Sequence, residues 1–258
     1  MEIEPLSKTK LAALAQLKLK KHRDRQALFV AEGMKCAIDT AACFDCETIV
    51  GTPDALQRVH DDILAKFGHA YSTDIANLKK LSQLATAPEV IAYFHRPESE
   101  VPEKLNPDVL YLALDGIQDP GNLGTIIRTA DWFGVKTIFA SRDTADVFNP
   151  KTIQATMGSL SRVTICYTDL CELFDRNPDV PVYGTLLDGK DIYRQQLGNG
   201  ILCMGNEGRG LREETRRRVT CPLFIPPFPP DAPHPESLNV AIATAVICAE
   251  FRRQAAWK

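Results

Sequence analysis

Polar residues able to do chemistry gather in three short stretches of this 258-residue chain. The first, DGIQDPGNLGTIIRTADWFGV from Asp115 to Val135, sets Asn122 and Arg128 six positions apart. If both act on one ligand, it lies around a helix N-terminus; otherwise they are a cap and a surface arginine. The second, LCMGNEGRGL from Leu202 to Leu211, ends an apolar strand in glycines, so backbone can approach a ligand closely. Glu207 then stands among exposed amides at an expected helix start. There it favours the helix dipole or holds a cationic or amine-bearing group. The third is Glu236-Ser237-Leu238-Asn239, opening a helix with Ser237 read as its N-cap. From Leu238 to Ala249 this helix carries no charge, so it is expected to be buried nearly all round; its twelve residues are too short for a membrane. A buried helix starting beside a glycine-rich loop makes a small-molecule pocket.

Alternating elements must position these stretches. The run Val109–Leu114 has the composition of a buried strand, Asp119-Pro120-Gly121 that of a turn, and Asn122 can cap a helix with Ile126, Ile127, Ala130 and Phe133 apolar. Further strands are expected at 135–140, 163–166, 182–187, 200–204 and 221–225, with helical stretches including 122–133, 149–160 and 210–219. A parallel sheet with helices on both faces follows, placing the sites at strand carboxyl ends. A dinucleotide-binding fingerprint is absent, since Gly121 and Gly124 are wrongly spaced and the second stretch reads G-x-x-G-x-G. A P-loop fails too, for no Gly-Lys-Ser or Gly-Lys-Thr follows.

The first half alternates short strands and helices, a small α/β unit. Residues 7–25 read as one helix carrying seven Lys or Arg against a single acid, Asp24. This is either a solvated face or a phosphate-facing patch; its clustering in an otherwise acidic half favours the patch, with Lys20, Lys21, Arg23 and Arg25 in it. Residues 96–108, rich in proline and acids, form a linker between a domain at 1–95 and another at 109–258. Net charge is −3 and composition is ordinary for a globular protein. No apolar segment is long enough to span a membrane and the N-terminus has no signal-peptide core, so a cytoplasmic location is expected. The eight cysteines read as reduced and structural, with no metal site: Cys43 and Cys46 lack a second ligand pair.

In order and spacing, DPGNLGTIIRTADWFGV, LCMGNEGRGL and IPPFPPDAPHPESLNVAIATA resemble the three signature motifs of the SpoU/TrmH family of RNA 2′-O-ribose methyltransferases (SPOUT superfamily). Asn149-Pro150-Lys151, Ala155–Ser159 and Gly184–Gly189 match the linking segments. The first hundred residues look like the RNA-binding domain, similar to small ribosomal proteins, that often precedes the catalytic one.

The resemblance implies an α/β catalytic domain with a C-terminal trefoil knot, an exception to the no-knot rule. It implies S-adenosylmethionine as methyl donor, S-adenosylhomocysteine as product, and no metal. By position the cofactor contacts are Thr185, Leu186, Gly205, Asn206, Gly208, Ile225 and Leu238. Arg128 matches the family's catalytic arginine; a group with pKa above ~12 is a poor resting base, so stabilising the developing oxyanion is the safer role. Asn122, Glu207, Ser237 and Asn239 would position the ribose and Arg128. Arg209, with Arg212 and Arg216 to Arg218, could meet RNA phosphates or form a solvated face. Partners are RNA, ribosomal before transfer, and a second copy of the chain, with the site at a homodimer interface. The alternative is a catalytically silent RNA-binding or ribosome-assembly protein keeping the knotted fold. One departure is the proline-rich stretch from Pro226 to Pro235, longer than the family pattern.

Overall fold

The computed structural model describes residues 1–229 and 233–256, so part of the proline-rich stretch, 230–232, lies outside the described residues. Two compact units form: Met1–Glu98 with Phe148–Ser161, and Ser99–Val147 with Arg162 onward.

In the first unit the order is β1 (Ile3–Pro5), α1 (Lys8–Gln16), α2 (Lys20–Gln26), β2 (Leu28–Glu32), α3 (Met34–Ala41), β3 (Cys46–Gly51), α4 (Pro53–Gln57), α5 (Asp61–Leu64), β4 (His69–Ser72), α6 (Ile75–Leu81) and β5 (Val90–His95). The sheet order is β1-β4-β3-β5-β2, with β5 antiparallel to both its neighbours. Strand alternation sends Phe29 and Ala31 to a core with Phe94 and Phe67, and Leu28 and Val30 to one with Leu14, Leu17 and Tyr93. Both faces are therefore covered.

Several boundaries differ from the expectation. The basic run is two helices, because the chain turns at Leu17 and Arg23 folds back, its Nη1 donating to the carbonyls of Leu17 (3.3 Å) and Lys18 (2.9 Å). Two short helices follow β3: α4, capped by Thr52, and α5, capped by His60. Strands β1 and β4 had no clear apolar signal. Helix α8 (Pro150–Thr156), counted above with the second half, belongs to this first unit: Phe148 stacks against Phe29 with ring centroids 5.1 Å apart, and Ile153 joins the same core.

The second unit runs β6 (Leu110–Asp115), α7 (Pro120–Trp132), β7 (Thr137–Ala140), β8 (Thr164–Tyr167), α9 (Leu170–Arg176), β9 (Val182–Asp191), β10 (Gly200–Gly205), α10 (Glu213–Arg216), β11 (Cys221–Phe224) and α11 (Val240–Ala256). Its sheet order is β11-β9-β10-β6-β7-β8 and every adjacent pair is parallel, as expected. Central β6 is buried along its whole length, which its unbroken apolar run requires. Helix α7 packs its Leu123, Ile126, Ile127 and Ala130 inward and lies against α11, while α9 joins the core of Tyr111, Ala113, Val182 and Ile201. The end of the expected linker is ordered on this unit: Leu105 is buried and its N–H donates to Asn177 Oδ1 at 2.9 Å.

Two expected helices change. The stretch 210–219 contributes only the short α10, which starts three residues later. Helix α11 is not buried all round: Val240, Ala241, Ile247, Cys248 and Phe251 are buried, but Ile242 is 53% exposed and Ala249 is exposed.

Candidate active site

The sheet reverses direction between β6 and β10: the chain runs from β6 outward through β7 and β8, then returns to fill the other side. A crevice at the carboxyl ends of such neighbouring strands is where parallel α/β sheets bind ligands. Strand β6 delivers Asn122 there and β10 delivers Glu207.

Asn122 does not cap its helix. Asp119 does, its Oδ1 accepting the Asn122 backbone N–H at 2.8 Å, with Pro120 in the first turn where a missing N–H costs nothing. The Asn122 side chain is therefore free to reach other motifs. Its Nδ2 donates to Glu207 Oε1 at 2.8 Å, and its Oδ1 accepts from Asn239 Nδ2 at 3.0 Å. Asn239, not Ser237, caps α11: its Oδ1 accepts from the N–H groups of Ala241 (2.9 Å) and Ile242 (3.3 Å). The direction of this chain is forced from both ends. A helix N-terminus needs an acceptor, which turns the Asn239 amine toward Asn122; a carboxylate only accepts, which turns the Asn122 amine toward Glu207. Three residues separated by 85 and 117 positions thus form one oriented relay on the surface.

Glu207 is not at a helix start. It tips a turn closed by the antiparallel bridge Asn206–Gly210, and Asn206 Oδ1 accepts the N–H groups of Gly208 (3.0 Å) and Arg209 (3.1 Å). Gly205 admits no side chain, since a Cβ there would lie 2.3 Å from the Gly210 carbonyl carbon. Ser237 is exposed with no side-chain hydrogen bond among the described residues. Arg128 is likewise exposed and without an ion pair among them. Six residues on from Asn122, it sits roughly 240° round α7 and about 9 Å along it, and it is not part of the relay's hydrogen bonds among the described residues.

The expected cofactor residues share the carboxyl ends of three adjacent strands. Thr185 and Leu186 lie in a bulge of β9, where pairing with β11 jumps from Gly184 to Lys190 while β11 advances only from Pro222 to Leu223. Gly205, Asn206 and Gly208 form the turn after β10; Ile225 follows β11, and Leu238 precedes α11. Leu187 and Leu238 are 72% and 51% exposed on this rim. Backbone polar groups, apolar side chains and one carboxylate suit a heteroaromatic ligand with a cationic centre, so the residues fit S-adenosylmethionine. They do not suit a pyrophosphate.

The basic residues divide. Lys21, Arg25 and Arg209 are exposed; Lys20 pairs with Asp24 at 2.6 Å. Arg23 is only 3% exposed and turned inward onto carbonyls, which corrects its expected place on an RNA-facing surface. Arg216, Arg217 and Arg218 are each paired with an acid, Asp188, Glu213 and Asp175. A tie that the sequence did not announce links Arg212 to Asp115 and Asp143. No group of three or more His, Cys, Asp or Glu that could hold a metal occurs among the described residues.

Fold and site define a parallel α/β ligand-binding domain whose polar relay joins three sequence motifs at the sheet's switch point. Residues 109–249 match the SpoU rRNA Methylase family and residues 8–92 the MRM3-like substrate binding domain; the chain belongs to the SpoU rRNA methylase family. It is 34% identical to the Bacillus subtilis 23S rRNA (guanosine(2553)-2′-O)-methyltransferase RlmP, over 67% of this chain and 68% of that one. It is 31% identical to the Neisseria meningitidis 23S rRNA (guanosine-2′-O-)-methyltransferase RlmB, over 71% and 76%. Among solved structures, a putative RNA methyltransferase of the TrmH family from Porphyromonas gingivalis shares 37% identity and a TM-score of 0.81, covering 96% of this chain and 99% of that one. An AdoMet-bound rRNA methyltransferase from Sinorhizobium meliloti shares 31% identity and a TM-score of 0.82, covering 98% and 97%.

Proposed function

We infer that the protein transfers a methyl group from S-adenosylmethionine to the 2′-hydroxyl of a ribose in structured RNA, ribosomal rather than transfer RNA. The observation that carries this is the Asn239–Asn122–Glu207 relay, which presents oriented amide and carboxylate groups beside a glycine-lined backbone turn. The cofactor supplies an activated methyl on a sulfonium. A ribose hydroxyl is not activated, so the protein must align it and stabilise the oxygen as its proton leaves. Asn122, Glu207, Ser237 and Asn239 hold the ribose. Arg128 neutralises the developing oxyanion and a neighbouring phosphate. Thr185, Leu186, Gly205, Asn206, Gly208, Ile225 and Leu238 hold the cofactor. Residues 1–95 bind RNA through Lys20, Lys21 and Arg25, and in the methyltransferase domain Arg209, near Glu207, meets an RNA phosphate.

A homodimer supplies what one chain lacks. The uncovered stripe of α11, with Ile242, Ala245, Val246 and Ala249, suits a second copy, and a two-fold pairing lets Arg128 of one chain serve the relay of the other. Ala245→Glu is expected to give inactive monomers by light scattering. No helix among the described residues is long and apolar enough to cross a membrane, and the cytoplasm is the compartment where such an enzyme meets RNA.

The test is methyl transfer from labelled S-adenosylmethionine to 23S rRNA, with the product mapped by resistance of the 2′-O-methylated linkage to alkali. Incorporation at one ribose is expected. Labelling of a base, of transfer RNA only, or of nothing would overturn the reading.

A further inference from the structure

Glu207 hangs at the tip of a turn whose two feet stand on consecutive residues, Gly116 and Asp115. Before the tip, Asn206 Nδ2 donates to the Gly116 carbonyl at 2.7 Å. After it, the Arg212 N–H donates to Asp115 Oδ2 at 2.9 Å, and Arg212 Nε meets Asp115 Oδ1 at 2.7 Å. Asp115 is 1% exposed, so its carboxylate has no solvent to fall back on. The outer arm of the guanidinium reaches Asp143 at 2.7 Å. Asp143 is itself held by Ser141, whose Oγ also accepts the Gly116 N–H at 2.9 Å.

Asp115 ends β6 and Gly116 follows it, and Asn122 lies in the first turn of α7. The Glu207 turn and the Asn122 helix are therefore referenced to one point. Local structure gives no other reason for an arginine here. Position 212 is the N-cap of α10, where a short acceptor side chain is favoured, and Arg212 makes no side-chain cap bond. Arg216, Arg217 and Arg218 pair with exposed acids; Arg212 alone among the arginines of this stretch reaches a buried one.

We propose that Arg212 is a positioning residue for methyl transfer: by bridging Asp115 and Asp143 it locks the Glu207 turn onto the end of β6 and aims Glu207 at Asn122. This rests on the function proposed above. Arg212 is thereby assigned no contact with substrate or cofactor, because its guanidinium is taken up by Asp115 and Asp143, so its removal should act through the turn. The Arg212→Gln protein is expected to bind S-adenosylhomocysteine at least tenfold more weakly and to lose at least tenfold in kcat, with the KM for RNA within twofold of wild type. Arg212→Lys should recover part of this, since an ammonium keeps the charge but cannot span two carboxylates. Asp115→Asn combined with Arg212→Gln should cost much less than the product of the single effects, because the two act as one unit.

The experiment is titration calorimetry with S-adenosylhomocysteine and steady-state methylation of 23S rRNA, on wild type and each variant, normalised to the folded fraction. A merely structural arginine would lower the folded fraction while leaving Kd and kcat per folded molecule unchanged; that result overturns the proposal. If Arg212→Gln does not fold, Asp143→Asn decides: a threefold or greater rise in Kd supports the latch, and unchanged Kd and kcat refute it. A wild-type protein that neither binds nor methylates would remove the function and this proposal together. An active wild type with an unaffected Arg212→Gln removes the proposal alone.

Discussion

Two runs of basic residues, Lys8 to Arg25 and Arg209 to Arg218, look alike as sequence and differ in what surrounds them. In the first, Lys20 is ion-paired and Arg23 is turned inward, while Lys21 and Arg25 stay exposed with no ion pair among the described residues. In the second, Arg212, Arg216, Arg217 and Arg218 are all matched by carboxylates, and only Arg209, at the tip beside Glu207, is unmatched among them. Four of those carboxylates, Asp115, Asp143, Asp175 and Asp188, lie 28 to 97 residues away. The fold thus leaves Lys21, Arg25 and Arg209 uncompensated among the described residues and neutralises most of the second run. Arg128 belongs with the uncompensated set, and its exposure is compatible with the role proposed for it above.

The sharpest break of this contrast is at Arg128. Arg128→Ala should cut kcat about 10²–10³-fold, the usual loss for a donor that stabilises an oxyanion, while calorimetric binding of S-adenosylhomocysteine stays near wild type. Full activity would move Arg128 out of the mechanism. Next in size, replacing Lys21 and Arg25 together by Gln should weaken RNA binding about tenfold at moderate salt. It should also flatten the log–log salt dependence by roughly 0.7–0.9 per lost phosphate contact, measured by filter binding across a salt series. An unchanged slope would place the RNA elsewhere.

Arg218 tests the compensated set by pH. Its hydrogen bonds, at 2.7 and 2.6 Å, hold the Asp175 carboxyl below its ordinary range in the folded chain. A depressed folded-state pKa stabilises above the unfolded value of about 3.9 and is lost as pH falls through the folded value. The melting temperature of Arg218→Gln should therefore lie below wild type at neutral pH, and the gap should close as pH drops below about 4. A gap independent of pH would show that the pair is not its cause. The smallest effect is expected at Arg217, whose partner Glu213 is one helical turn away and equally exposed. Arg217→Ala should shift stability by about 0.5 kcal/mol or less and RNA affinity by less than twofold; a larger loss of affinity would put this arginine on the RNA despite its partner.

Apart from β9, which runs four residues beyond its expected end, the strands of the second unit were legible within a residue or two, because a sheet buried on both faces demands apolar runs such as 110–114 and 201–204. The three motifs were legible because glycines and short polar residues at strand ends have few structural uses. Capping was misread twice for one reason. Asn122 and Asn239 are both good caps, and Asp119 and Ser237 compete for the same task at neighbouring positions; only packing decides that Asp119 caps α7 and Asn239 caps α11. The break in the basic run at Leu17 was hidden because its residues all suit a helix, and the turn is made by tertiary burial of Leu14 and Leu17 together with Arg23 folding back.

By itself the amino-acid order determined most elements of the second unit, its parallel sheet and the types of side chain at the strand ends, since these follow from local periodicity and backbone preference. It did not determine which charges would be neutralised or which amide would face which carboxylate. Pairings such as Asn239–Asn122–Glu207 and Asp115–Arg212–Asp143 join atoms across 69 to 117 residues. Local sequence carries no term for them. They exist because the strand order β10-β6-β7 brings carboxyl ends side by side, where buried Asp115 must find a partner and the surface groups of the relay come within reach of one another.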